Sequence, residues 1–180
     1  MKTPSALSYR GEDARMTFTE FEKLPETAGK CELLEGELVA LPPAKNRHYE
    51  VAQRFFELLL AIPSWPTASL GKVRYEWGYR IGTGWLQPDV SIAKKDQPAD
   101  EYYLGSPALA IEVISNEKTA DKVDRKIALY FQHGAEQVWV VYPESRRMWV
   151  YFSDGTAEVH SVSYNSKLLG VTLNLVDMIG

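Results

Sequence analysis

Asp89, in the run Gln87-Pro88-Asp89-Val90, is followed 23 residues later by Glu112, the one carboxylate in the apolar stretch Ala108-Leu109-Ala110-Ile111-Glu112-Val113-Ile114. A carboxylate inside a segment that reads as a fully buried strand is costly unless a cation or hydrogen-bond donors meet it. Asp89 and Glu112 therefore form a candidate metal site. An Asp on one strand, a Glu on the next and a lysine nearby suit metal-dependent phosphodiester hydrolysis. The acids hold Mg²⁺ or Mn²⁺ against a phosphate, and the lysine orients or deprotonates the attacking water and offsets charge. Lys122 and Lys126 lie one helical turn apart in the following segment, so either can reach back to the strand end. Plainer roles compete: a turn or cap for Asp89, a buried ion pair for Glu112 and a solvated helix face for Lys126.

These residues need a sheet and a crossover helix to bring them together. Thr17-Phe18-Thr19-Glu20 reads as a capping box opening a short helix through Leu24. Cys31 to Leu34 and Glu37 to Leu41 form a hairpin whose turn needs a positive backbone angle at Gly36, and Pro42-Pro43 ends it. Apolar spacing at Val51, Phe55, Leu58, Leu59 and Ile62 predicts a helix from Arg47 to Ile62. Strands are expected over Lys72 to Trp77, Tyr79 to Ile81 and Trp85 to Ala93, and Lys94 to Pro107 reads as a surface loop. The Glu112 strand leads into a helix from Glu117 to His133, stopped by Gly134, and then into the strand Gln137 to Tyr142. That order predicts a crossover with two parallel strands at the centre of a mixed sheet, Glu112 among them. Met148 to Phe152 and Thr156 to Val162 add strands, and the last segment reads as an edge strand or a short closing helix.

With 45% hydrophobic and 12% aromatic residues, 180 residues can bury one core, so a single domain over 1–180 is expected, with 1–16 a loosely ordered N-terminal segment. A net charge of −4 gives no global attraction to nucleic acid or anionic membranes, so phosphate binding must come from bound cations or a local basic cluster. Lys118, Lys122, Arg125 and Lys126, with Lys72, Arg74 and Arg80, could supply such a track. Trp77, Tyr79, Trp85, Tyr102 and Tyr103 suit base stacking, a subunit interface or plain core packing. The lone Cys31 excludes an internal disulfide and a zinc ribbon, and there is no apolar signal segment or membrane span. A cytoplasmic protein is expected.

Several motifs in order resemble the Uma2 family of the PD-(D/E)xK nuclease superfamily. They are Glu32-Leu33-Leu34-Glu35-Gly36-Glu37, Pro42-Pro43 with His48 opening a helix, Gln87-Pro88-Asp89-Val90, Ile111-Glu112-Val113-Ile114-Ser115, Asp124-Arg125-Lys126 with Tyr130, and Gly134 through Pro143. The resemblance runs from about Thr17 to the C-terminus. It implies a mixed α/β, restriction-endonuclease-like fold with a central mixed sheet flanked by helices, and an endonuclease acting on DNA. By the same resemblance Asp89 and Glu112 are ligands of Mg²⁺ or Mn²⁺, Lys126 is the catalytic lysine, His48 binds the metal or a phosphate, and Glu32 adds an outer carboxylate. The superfamily lysine two residues after the Glu is replaced here by Ile114, and Lys126 on the helix stands in for it. A homodimer is implied as well, and no organic cofactor. Two other readings stay open: a non-catalytic nucleic-acid- or protein-binding domain that keeps the nuclease fold, and a hydrolase of another phosphate ester.

Overall fold

The structure is a computed structural model that describes residues 15–25, 28–41, 43–114 and 120–180. Pro42, Ser115, Lys118, the expected helix start at Glu117 and the N-terminal segment up to residue 14 lie outside the described residues. α1 (Phe18–Phe21) opens on the capping box, with Glu20 Oε2 accepting the Thr17 N–H at 2.8 Å. β1 (Cys31–Leu34) and β2 (Glu37–Ala40) pair antiparallel across Glu35-Gly36, where both residues, not Gly36 alone, take a positive φ, 51° and 86°. That double left-handed turn matches the twist of a two-residue hairpin.

α2 (Asn46–Ala61) buries Val51, Phe55 and Leu59 of the predicted stripe, and Ala52 as well, while Leu58 is half-buried and Ile62 falls just past the helix end. β3 (Leu70–Tyr75) stops two residues short of Trp77, because Glu76 turns to φ 45°. β4 (Tyr79–Ile81) follows as expected. The next expected strand, Trp85 to Ala93, is in fact two: β5 (Gly84–Leu86) and β6 (Val90–Lys94) belong to different sheets. Pro88 has no N–H to give a ladder, and the Gln87 N–H is spent on Glu32 Oε1 at 2.9 Å, so pairing breaks here. The expected loop from Lys94 to Pro107 contains β7 (Tyr103–Leu104), held parallel to β4.

β8 (Leu109–Val113), α3 (Ala120–Gln132) and β9 (Gln137–Tyr142) form the predicted crossover, with β8 and β9 parallel. β10 (Arg147–Phe152) and β11 (Ala157–His160) extend the sheet antiparallel. β12 (Ser163–Ser166) pairs with β13 (Val171–Asn174), and α4 (Leu175–Ile179) follows, so the C-terminal segment is strand and helix in turn. The result is a mixed α+β fold. A six-stranded sheet, β11-β10-β9-β8-β6-β3, stands beside a five-stranded one, β2-β1-β5-β4-β7. The larger sheet separates two apolar clusters. Phe55, Leu59, Val90, Ile111 and Trp139 lie on the α2 and α4 side, while Ala110, Val138, Ile127 and Tyr130 pack with Leu34, Tyr79 and Leu86 of the smaller sheet. No helix among the described residues is long and apolar enough to cross a membrane.

The smaller sheet carries Glu32 toward the larger one, and its alignment depends on a close approach at Gly84. A Cβ there would sit 2.4 Å from the Leu33 carbonyl oxygen, a backbone atom that cannot step aside. Gly84→Ala is expected to cost about 1–3 kcal/mol of stability in urea denaturation. A change below about 0.5 kcal/mol would mean that β1 and β5 can part freely.

Candidate active site

Alternation along the strands decides where the two acids point. Val90 pairs with Ile111 at the end of the β6–β8 ladder, and both face the α2 cluster. One step beyond that ladder Asp89 comes opposite Glu112; the Glu112 side chain meets α3, and the Asp89 charge lies near enough to raise the Glu112 pKa. The Val113 N–H donates to Asp89 Oδ2 at 2.7 Å, which fixes the Asp89 carboxylate to the neighbouring strand. Asp89 Oδ1 is 3.0 Å from His48 Nε2, delivered by the first turn of α2.

Glu112 is 6% exposed and fully engaged: Lys126 Nζ donates to its Oε2 at 2.7 Å and the Tyr130 hydroxyl donates to its Oε1 at 2.7 Å. Lys126 and Tyr130 are four residues apart on α3, one turn on the same face, and together they clamp the carboxylate. Lys126 also donates to Glu32 Oε1 at 3.0 Å. Glu32 is only 2% exposed, so its carboxylate is buried together with Glu112. Its Oε1 accepts the Gln87 N–H as well, so it ties together α3, β1 and the break between β5 and β6.

Burial pushes the Glu112 carboxyl up to about 7; Lys126 opposes the rise, and the charges of Glu32 and Asp89 add to it. Burial by itself would lower the Lys126 ammonium, but Glu112 and Glu32 outweigh it and hold Lys126 above its ordinary value. The buried Tyr130 hydroxyl is held well above the ordinary phenol value by desolvation and by Glu112. For His48, burial lowers the pKa, yet the hydrogen bond and charge of Asp89 prevail and raise it.

The predicted residues thus fall into two linked groups, Glu112 with Lys126 and Glu32, and Asp89 with His48. Among the described residues, no three His, Cys, Asp or Glu side chains converge into a ready-made metal cage. Lys126, not a third acid, occupies the space between Glu32 and Glu112. The basic residues of α3 do not form a free phosphate track: Arg125 pairs with Glu35 and Glu37 at 3.0 and 2.7 Å, and Lys122 lies 3.8 Å from Glu37. Arg80 lies over the Phe18 ring. Sequence reasoning assigns no role to Tyr130 at the site or to Gln87 as a backbone donor. The i, i+4 spacing from Lys126 is the signal that points to Tyr130.

A mixed sheet flanked by helices, with its acids on adjoining strands beside a parallel crossover, defines a fold of the restriction-endonuclease-like class. Residues 18–178 match the model of the Uma2 family, described as "Putative restriction endonuclease", and the chain belongs to that family. Its fold is similar to the crystal structure of a protein from Anabaena variabilis described as a putative nuclease belonging to DUF820. The TM-score is 0.78 at 22% sequence identity, covering 91% of this chain and 97% of that one. No curated protein matches the sequence.

The raised pKa of Glu112 has a testable sign. The folded carboxyl keeps its proton up to about 7, against an ordinary value of 4.5, so this group's contribution to stability falls as pH rises across that window. Lys126→Met removes the cation between two buried acids and is expected to cost about 3–5 kcal/mol at pH 8. The loss should shrink at pH 5, where Glu112 is protonated. Urea denaturation at both pH values checks this, and an equal loss at each would show that Lys126 does not balance Glu112.

Proposed function

We propose that this protein is a divalent-metal-dependent endonuclease that hydrolyses DNA phosphodiester bonds. The observation that carries the reading is Lys126 Nζ, within hydrogen-bonding distance of both buried acids, Glu112 at 2.7 Å and Glu32 at 3.0 Å. A lysine beside a buried Glu, with Asp89 on the next strand, is the donor set this hydrolysis requires, and Lys126 supplies from a helix what Ile114 cannot supply from the strand. Mg²⁺ or Mn²⁺ suits the hard oxygens of Asp89 and Glu112, because such ions bind through one or two carboxylates and keep several waters. Each Glu112 oxygen accepts one hydrogen bond in this structure and retains a second lone pair for a cation.

When bound, the cation supplies charge neutralisation at the phosphate. The chain's own groups do the rest. Lys126 orients the attacking water and offsets the charge that builds on the phosphate oxygens. Glu32 is a positioning residue: it shares the Lys126 ammonium with Glu112 and so holds it at the strand end. His48 and the Val113 N–H fix the two Asp89 oxygens, and Tyr130 fixes Glu112, so little reorganisation is needed when substrate arrives. His48 also stands where it can meet a phosphate. Because the paired strands of a duplex are cut by two copies of one site, we propose a homodimer, to be read as a dimer mass in sedimentation.

Supercoiled plasmid should be nicked with Mg²⁺ or Mn²⁺ and left intact in EDTA. Asp89→Asn and Glu112→Gln should lose both the nicking and the calorimetric Mn²⁺ signal while circular dichroism stays native. Lys126→Met should slow nicking by about 10²–10⁴-fold. Unchanged Mn²⁺ affinity in both acid variants would refute the site, and a salt-sensitive gel shift without nicking would favour the non-catalytic binding domain.

A further inference from the structure

Of the aromatic residues that the sequence suggests for base stacking, Tyr79 is fully buried and Trp85, Tyr102 and Tyr103 are half-buried, whereas Trp77 is 48% exposed. Its position is set by the candidate site. β3 pairs with β6 through Tyr75 and Val90, the Glu76 N–H then donates to the Asp89 carbonyl at 2.9 Å, and Glu76 turns to φ 45°. A non-glycine residue in that region is strained and persists only where its surroundings hold it. The Gln87 side-chain amide donates to the Glu76 carbonyl, and Lys30 pairs with the Glu76 carboxylate at 2.9 Å. Trp77 follows directly on this turn, one residue after the backbone bond to Asp89.

The exposed indole is already ordered. The Arg74 guanidinium lies 5.0 Å from the Trp77 ring centre and 5.5 Å from that of Tyr103, and it donates to the Tyr103 hydroxyl at 2.8 Å. The Trp77 and Tyr103 rings are 6.1 Å apart. Beyond Trp77 the backbone packs close against the Trp85 ring, where a Cβ on Gly78 would fall 1.8 Å from it. Tyr49, the residue after His48, is 45% exposed and meets the His48 ring edge-on at 5.9 Å. Two exposed rings therefore adjoin the Asp89–His48 pair along the chain, Tyr49 directly after His48 and Trp77 directly after Glu76, whose N–H binds the Asp89 carbonyl. Leaving an ordered apolar ring in water forgoes burial, and beside a phosphodiester site the flat partner that recovers it is a nucleobase.

We propose that Trp77, backed by Arg74, is a stacking platform for an unpaired nucleobase of the strand bound at the Asp89–Glu112 centre, with Tyr49 beside His48 as a second exposed ring. The choice of a nucleic-acid strand rests on the nuclease reading above. Within an intact duplex a base has no free face, so single-stranded or frayed DNA should bind more tightly than blunt duplex. Arg74 stiffens the indole and adds positive charge near the phosphates, whereas Glu76 is neutralised by Lys30.

The test titrates a short single-stranded oligothymidylate, in EDTA so that no cleavage occurs, into wild-type, Trp77→Leu and Trp77→Phe proteins of matched thermal stability. The oligonucleotide should quench tryptophan fluorescence in the wild type, and the quench should be largely absent in both variants. By anisotropy, Trp77→Leu should bind about ten- to hundredfold more weakly, and Trp77→Phe, which keeps a ring, should recover much of the affinity. Equal affinity in the wild type and Trp77→Leu would overturn the platform. So would a dimer that becomes monomeric on Trp77→Leu substitution, because Trp77 would then be covered by a second subunit. A wild type that fails to nick plasmid yet shows Trp77-dependent binding would sink the nuclease reading and leave the platform standing.

Discussion

The arrangement of this molecule depends on one ammonium group shared by two buried carboxylates. Glu32 and Glu112 come from different sheets, and both are almost wholly removed from water. Without Lys126 between them, two buried carboxylates would face each other with no cation to balance their repulsion and desolvation. With it, the larger sheet, the smaller sheet and the crossover helix meet at a single point. An ion pair of this kind contributes little net stability compared with apolar residues of the same volume, since desolvation offsets most of the attraction.

The second constraint is the Gln87-Pro88-Asp89 segment, where the chain leaves one sheet and enters the other. Proline removes a ladder donor, the Gln87 N–H turns to Glu32, and the Gln87 side chain reaches the Glu76 carbonyl. Asp89 is thereby freed from strand pairing and its side chain bonds to the Val113 N–H and His48. The same break that separates β5 from β6 thus aims Asp89 and holds the Glu76 turn that Trp77 follows. Glu32, His48, Glu112 and Lys126 sit in regular strands and helices, whereas Asp89 stands at the break between two sheets.

Long periodic segments were readable from residue types. The apolar stripes of α2 and α3, the Glu35-Gly36 hairpin and the parallel β8–β9 pair all follow from spacing, because burial of one face enforces a period that side-chain chemistry displays directly. The division at Pro88 was less legible. Trp85 to Ala93 is apolar and β-branched enough to run as one strand, and only the competing hydrogen bonds that Gln87 donates to Glu32 and Glu76 show why it does not. β7 was read as loop because two residues of strand, Tyr103 and Leu104, carry too little pattern to register. The basic residues of α3 read as a phosphate track, yet Arg125 and Lys122 are taken up by the acids of the β1–β2 hairpin, which lies far away in sequence.

By itself, the sequence determined that a carboxylate would be buried mid-sheet at Glu112 and that a helix carrying Lys126 would follow, since hydrophobic periodicity is a local property of the chain. Only the tertiary structure decided which charges meet. The partnerships of Lys126 with Glu32, of Asp89 with His48, and of Trp77 with Arg74 and Tyr103 depend on how strands from two sheets are placed in space. Electrostatic and stacking contacts act over a few ångströms of distance, and separation along the chain does not encode that distance until the fold has closed.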